Sequence, residues 1–313
     1  MIRAQREVIL AAGTFNTPQI LKLSGVGPEN ELRKFGIPVV VDLPGVGTNM
    51  QDRYETGLVA KSPLDFKITS KCTWMREYPD PCLDNWRNGA TIPKRGAYTT
   101  GGLIVAMLRR SSVSADDTPD LFISGVPGSF KGYYTGYSKD AFDDAKHWTW
   151  VVLKAHSRNK AGTVLLRTKD PRDTPIISFN SFDTGSDNSH QADLDAQALV
   201  EGMFWARESI KDVPKIPAVY EEVWPAHRAN TTQQMKDWVM KEAWGHHASC
   251  TCPIGADGDP MAVLDSKFRV RGIDNLRVVD ASVFPRIPGY YIVLPIYMIS
   301  EKAADTIHFG TKT

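Results

Sequence analysis

The segment Trp244-Gly-His-His-Ala-Ser-Cys-Thr-Cys252 carries the densest chemistry of the 313-residue chain, with two histidines and two cysteines inside seven positions. Such a set raises zinc, but its spacing speaks against it. Zinc sites pair cysteines as C-x2–4-C, and the one-residue gap between Cys250 and Cys252 is too tight for both to reach one tetrahedral ion. Adjacent histidine side chains also diverge in any regular backbone, and no second ligand cluster occurs elsewhere, so no metal is expected. A histidine with a near-neutral pKa suits a different task, removal of a proton from an alcohol. His247 is the candidate for that role, set against the plainer reading of a structural histidine. The remaining six of the seven histidines read as surface or packing residues.

Two glycine pairs, Gly25-Val-Gly27 and Gly45-Val-Gly47, look like pieces of a nucleotide loop. Neither completes G-x-G-x-x-G, and neither sits directly between a strand and a helix, so both read as caps and turns. Walker A and G-x-S-x-G patterns are absent, which leaves P-loop and α/β-hydrolase chemistry without support.

The elements that must position His247 follow from pattern and punctuation. Glu7-Val-Ile-Leu-Ala-Ala-Gly13 reads as a fully buried strand, and such strands need neighbours on both sides. Either later segments supply them, or the chain is the back half of a longer protein, the reading favoured here; no signal-peptide pattern opens it. Asn16-Thr17-Pro18 reads as a helix start, with Pro18 in the first turn and a stop at Gly25. A second helix spans about 29–35, and 37–41 is a strand. The region 61–120 is rich in Pro, Gly and Trp and reads as a loop-rich cap. Three strands are expected at 148–154, 162–167 and 175–179, with short connections that favour one antiparallel sheet. The polar stretch 180–193 is a loop or a helix lead-in. Leu199, Met203, Ala206 and Ile210 mark an amphipathic helix over about 191–211. Asn230 or Thr231 caps another, running to about 243. A buried strand over 273–280 ends on Asp280, and the last helix runs from about 294 to 307.

Composition narrows the class further. Lys plus Arg number 37 against 36 Asp plus Glu, a balance without the basic excess of a nucleic-acid or anionic-membrane binder. The apolar stretch 287–299 is short and broken by Pro288 and Pro295, so no membrane span is expected. Cys72 and Cys82 flank a short loop, and a bridge there would stabilise by roughly 2–3 kcal/mol and imply an oxidising compartment, the alternative being two unrelated thiols. With the Asn230-Thr231-Thr232 sequon, this points to secretion of the full-length protein.

Taken together, these segments resemble the glucose–methanol–choline family of flavin oxidoreductases. Glu7-Val-Ile-Leu-Ala-Ala-Gly-Thr-Phe-Asn-Thr-Pro-Gln-Ile-Leu-Lys-Leu-Ser-Gly-Val-Gly-Pro28 is similar to one family signature almost residue for residue. Leu43-Pro-Gly-Val-Gly-Thr-Asn-Met-Gln-Asp52 resembles the segment that follows it. His247–Thr251, Leu276-Arg-Val-Val-Asp-Ala-Ser282 and Glu301-Lys-Ala-Ala-Asp305 resemble the C-terminal pattern in order and spacing. The match is strong over about 2–58 and 244–310.

The resemblance implies an α/β fold with an α+β substrate part. A partial FAD-binding domain (1–58) would lead into a substrate domain built on an antiparallel sheet with a loop-rich cap (59–243). Residues 244–313 would return to the FAD-binding domain with the catalytic histidine and the C-terminal helix. The N-terminal β-α-β unit that holds the FAD pyrophosphate is missing from the pattern. His247 falls on the family's catalytic histidine, with His246 as the neighbouring alternative. Tyr291 falls on the second active-site position, usually His or Asn, where a phenol with a pKa near 10 hydrogen-bonds better than it deprotonates. Asp280 and Ala281 would approach the FAD diphosphate and ribityl chain. Ile292 and Val293 would bring backbone N–H groups towards the flavin's pyrimidine edge. Cys250 stands where the family usually has Gly, and Arg53 where it frequently has His.

The implied activity is FAD-dependent oxidation of the CH–OH group of a small-molecule alcohol, with the proton going to His247, hydride to flavin N5, and oxygen or a quinone as final acceptor. Two alternatives stand beside it. One is redox-neutral chemistry, a lyase or cyclase on the same fold, for which Tyr291 is the motive. The other is a non-catalytic fragment, for which the missing pyrophosphate loop is the motive.

Overall fold

The computed structural model describes residues 3–183, 191–211 and 220–310. The chain divides into two units, one formed by Met1–Arg53, His156–Ala192 and Gly245–Thr313, the other by Tyr54–Ala155 and Asp193–Trp244. The chain changes units close to the expected boundaries at 58 and 243, but 156–192, expected in the middle domain, groups with the first unit. In order, the elements are β1 (Val8–Leu10), α1 (Gly13–Leu23), β2 (Val26–Gly27), α2 (Glu29–Lys34), β3 (Val41–Asp42), β4 (Tyr54–Lys61), α3 (Pro81–Asn88), β5 (Val105–Arg109) and β6 (Leu121–Val126). There follow α4 (Tyr137–Phe142), β7 (His147–Lys154), β8 (Thr163–Leu165), β9 (Ile176–Ser178), α5 (Gln191–Lys211), β10 (Glu221–Trp224), α6 (Thr232–Glu242), β11 (Leu276–Val278) and α7 (Val293–Phe309).

In the first unit, β1 runs parallel to β11, with Val8 opposite Leu276 and Leu10 opposite Val278. The expected full burial of β1 is not found: Val8 and Ile9 are each 45% exposed, because β11 is its single partner among the described residues. The strand expected over 37–41 shrinks to β3, which pairs in parallel with β2. Leu21, Val26, Leu43, Val46, Phe268 and Val278 meet in the core of this unit.

Helix α1 starts at Gly13, three residues before the expected cap, and takes Pro18 into its interior. A proline there lacks the N–H that would bond the carbonyl of Thr14, one turn back. The Thr251 hydroxyl donates to that carbonyl at 2.7 Å and replaces the lost bond. Thr17 does not cap the helix either. Its hydroxyl accepts the Ala12 N–H at 3.1 Å and donates to Asp280 at 2.6 Å.

The second unit holds a five-stranded sheet in the order β10-β4-β7-β6-β5, antiparallel throughout. The segments 162–167 and 175–179 do not join it, contrary to expectation. Both edges of β7 are already taken by β4 and β6, so β8 and β9 pair with each other in the first unit. Helix α5 lies so close to β7 that a Cβ on Gly202 would come within 2.5 Å of a Val152 methyl. Beside it Lys154, buried, sits 3.4 Å from Asp120 and 3.8 Å from Asp195. Charges this deep are tolerated only when paired.

Within the loop-rich stretch, Cys72 and Cys82 are joined by a disulfide. Asp80 caps α3 by accepting the N–H groups of Cys82 and Leu83, and Pro81 opens the helix where no N–H is needed. Thr231 and Gln234 form a reciprocal capping box on α6. Part of the expected 180–193 loop, residues 184–190, lies outside the described residues. No helix among the described residues is long and apolar enough to cross a membrane.

Candidate active site

Within the first unit, the segment after Gly245 is held between two others. On one side Gln51 and Ser249 exchange backbone hydrogen bonds of 3.1 and 2.9 Å, and the Gly47 N–H donates to Thr251 at 2.8 Å. On the other, the N–H groups of Cys250, Cys252 and Ile254 donate to the carbonyls of Ala281, Ser282 and Val283 at 3.1, 2.8 and 2.9 Å. At its start the approach is closer still. A Cβ on Gly245 would stand 2.4 Å from the Arg53 carbonyl oxygen and 2.7 Å from the Asp52 carboxylate, so only glycine fits.

This clamping presents His247, which is 7% exposed, with its backbone N–H donating to Asp52 Oδ1 at 2.8 Å. Its ring meets Tyr291 edge to face, centroids 5.4 Å apart at 72°. The His246 ring lies 4.1 Å from that of His247 but is exposed. His156 and Tyr290 form a second, looser ring pair at 6.3 Å. Of the predicted pair, then, His247 and Tyr291 are brought together.

Burial is the main force on the His247 imidazole, and the Arg53 guanidinium adds to it; against a smaller opposing pull from Asp52, they lower its pKa from 6.5 to about 4. At neutral pH the ring is uncharged, but its pKa lies below the near-neutral value that the sequence reading expected and that best suits a general base. The two thiols nearby are different. Burial pushes Cys250 up to about 12 and Cys252 higher, so both stay protonated and neither offers a thiolate.

The strand expected over 273–280 shortens to β11, so Asp280 lies two residues beyond its end, buried, at the start of the 281–283 turn. One carboxylate oxygen accepts the Gly13 N–H at 3.0 Å and the Thr17 hydroxyl; the other accepts the Ser282 N–H at 2.7 Å. It thereby ties the start of α1 to the 281–283 turn. Ala281 and Ile292 share a small core with Cys250, Phe284 and Ile287. Val293 points outward, 59% exposed, and no side chain caps the N-terminus of α7. The positive end of this 17-residue helix is thus left uncapped and flanked by apolar side chains, able to face negative charge.

The residues that hold His247 and Tyr291 in place were not among the predicted site. Asn49, Gln51, Asp52 and Arg53 all point polar atoms at the 247–250 segment or the 285–289 loop. The available signal was their sequence, five polar residues among the six of Thr48–Arg53 that follow the Gly-Val-Gly turn, with Arg53 in place of the frequent histidine.

Known proteins match the chain along nearly its whole length. Residues 1–55 fit the N-terminal and residues 157–300 the C-terminal family model described as GMC oxidoreductase. Patulin synthase of Aspergillus clavatus is 32% identical across 98% of this chain and 49% of its own length. Oxygen-dependent choline dehydrogenase of Vibrio vulnificus is 32% identical across 97% of this chain and 51% of its own. Among solved structures, an Aspergillus oryzae formate oxidase studied for its FAD modification superposes with a TM-score of 0.81. It is 26% identical and covers 99% of this chain and 55% of that one. The chain spans about half the length of the curated relatives it matches.

Proposed function

Because the chain belongs to the glucose–methanol–choline oxidoreductase family, we propose that it carries the substrate-side chemistry of an FAD-dependent oxidoreductase acting on the CH–OH group of a small-molecule alcohol. The observation that carries this reading is the buried, uncharged His247 edge-on to Tyr291. His247 accepts the hydroxyl proton as the alcohol is oxidised. The Tyr291 hydroxyl orients the substrate oxygen. Asp52 keeps the His247 backbone in place through its 2.8 Å hydrogen bond. FAD, when bound, supplies the acceptor for the hydride that leaves the carbinol carbon, and oxygen or a quinone takes the electrons on. Towards that cofactor the chain offers Asp280 and Ala281 at the diphosphate and ribityl side, and the N-terminal turn of α7 at Ile292 and Val293 on the pyrimidine side.

One relative is named for making patulin and another for dehydrogenating choline, so the substrate is assigned here only as an alcohol. The Cys72–Cys82 disulfide and the exposed Asn230 sequon support an oxidising, secretory location for the full-length protein.

The test begins with the chain equilibrated with FAD and desalted, and the retained flavin read by its absorption. Alcohols are then screened anaerobically for bleaching of the flavin. His247→Ala is expected to slow bleaching by about 10²–10⁴-fold, the usual loss for an acid–base group; an unchanged rate removes His247 from the reaction. A second reading follows from Tyr291, a phenol where the family usually carries His or Asn. Substrate consumed while the flavin stays oxidised under every alcohol would favour redox-neutral lyase or cyclase chemistry instead.

A further inference from the structure

Arg53 has 0% exposure, yet it carries a guanidinium. Burying a cation is costly unless the group is well bonded, so the contacts it makes matter. Two of its nitrogens go to one place: Nη1 donates to the Gly289 carbonyl at 2.5 Å and Nη2 to the Pro288 carbonyl. The fork thus spans two consecutive carbonyls of the turn that leads into Tyr290 and Tyr291. A planar fork of fixed geometry can hold two acceptors at once in a way that a point-like ammonium cannot.

The rest of that loop is held by the same short segment. Asn49 Nδ2 donates to Pro285 O at 3.2 Å, and Gln51 Oε1 accepts the Ile287 N–H at 3.2 Å. A loop with two prolines and no ladder of its own has its backbone polar groups satisfied by side chains. Asp52, between Gln51 and Arg53, takes the His247 N–H instead. Two consecutive residues therefore grip the two loops that carry the ring pair, His247 through Asp52 and Tyr291 through Arg53.

We propose that Arg53 is a positioning residue of this site, which fixes Tyr291 edge-on to His247 by bridging the carbonyls of Pro288 and Gly289. The inference rests on the reading of His247 and Tyr291 as the working pair. It also gives Arg53 a reason to replace the family's frequent histidine, which has no fork to offer.

The test separates geometry from turnover. With the seven histidines labelled in their rings, the His247 signal is identified by its loss in His247→Gln. Its displacement by the Tyr291 ring current is measured in Tyr291→Leu. In Arg53→Lys and Arg53→Gln the His247 signal is expected to move at least half of the way to its position in Tyr291→Leu. An oxidisable alcohol should then show kcat lowered ten-fold or more with KM changed less than three-fold, as expected when reacting groups are misplaced rather than removed. A His247 signal unmoved in both variants overturns the proposal. So does loss of cooperative melting in both, which would make Arg53 a packing residue of the whole unit. Absence of turnover in the unmodified chain counts against the proposed function alone, since the ring signal is read without substrate.

Discussion

The backbone N–H of His247 donates to Oδ1 of Asp52 at 2.8 Å, and the same oxygen accepts the N–H of Arg53 at 2.7 Å. One carboxylate therefore sets the backbone at the base and at its cationic neighbour, and its charge acts on the imidazole as well. Asp52 pulls the His247 pKa up, against burial and Arg53, which push it down. Asp52→Asn keeps an oxygen for the two N–H groups while removing the charge. The expected result is a His247 pKa below its present value of about 4, read by ring-carbon NMR titration, with the fold intact. Asp52→Ala should also strand both N–H groups and lower stability by about 1–3 kcal/mol. A His247 pKa that rises in Asp52→Asn would refute this account of the site's electrostatics.

The depressed pKa of His247 makes a second claim, about stability against pH. An unfolded histidine protonates near 6.5, the folded one near 4, so between those values the unfolded chain binds more protons. The contribution of neutral His247 is complete above about pH 6.5. It drains away as pH falls towards 4 and is constant below. The shift bounds it at about 3 kcal/mol, with less expected because water reaches part of the ring. Urea midpoints for the unmodified chain and for His247→Gln, which cannot titrate, should converge or cross through this window. Parallel pH dependences would show that His247 titrates normally in the folded chain.

Much of the fold was legible because its signals are local. The periodic apolar face of α5, the cap of α6 at Asn230 or Thr231 and the short Cys72–Cys82 loop each lie within one segment, and the structure shows the helix, takes Thr231 as the cap and joins the two cysteines. His247 stood out through its neighbours in sequence. What failed depended on distant partners. The placement of β8 and β9 turns on β7 having no free edge, which only the assembled sheet decides. The clamps at Asp52 and Arg53 reach residues 195 and more than 230 positions away, and no local pattern marks an arginine whose acceptors are backbone carbonyls.

Pro18 is the clearest such case, and it yields a third prediction. Read locally, it marks a helix start; in the structure it sits inside α1 because Thr251 supplies the hydrogen bond that proline cannot. Thr251→Val leaves the buried Thr14 carbonyl without that donor and should cost about 1–3 kcal/mol. Pro18→Ala restores a backbone N–H one turn away from the same carbonyl. In the double variant, part of the Thr251→Val loss should therefore be recovered, a coupling of the order of 1 kcal/mol in a double-mutant cycle. Strict additivity would mean that the two donors do not serve the same carbonyl.

Cys250 gives the last prediction, again from a departure from the family pattern. Its φ is 76°, in the left-handed region that disfavours any side chain, and it is fully buried in the small core with Ala281, Phe284, Ile287 and Ile292. The backbone is pinned there, since the Cys250 N–H bonds Ala281 and its carbonyl accepts from Asn49. The residue cannot relax into a commoner conformation without breaking the hydrogen bonds that hold the segment presenting His247. A side chain in this region costs roughly 1–2 kcal/mol relative to glycine. The thiol offsets part of that by its burial, which explains how a cysteine persists where glycine is usual. Alanine keeps the strain but loses the sulfur; glycine loses both. In ordinary backbone, alanine is the more stable of the two by about 0.5–1 kcal/mol. Here the order should reverse, with Cys250→Gly more stable than Cys250→Ala by about 1 kcal/mol in urea midpoints. Because burial holds the thiol protonated, neither change removes a reactive group. A more stable alanine variant would place residue 250 in relaxed backbone and remove the strain from the account of this segment.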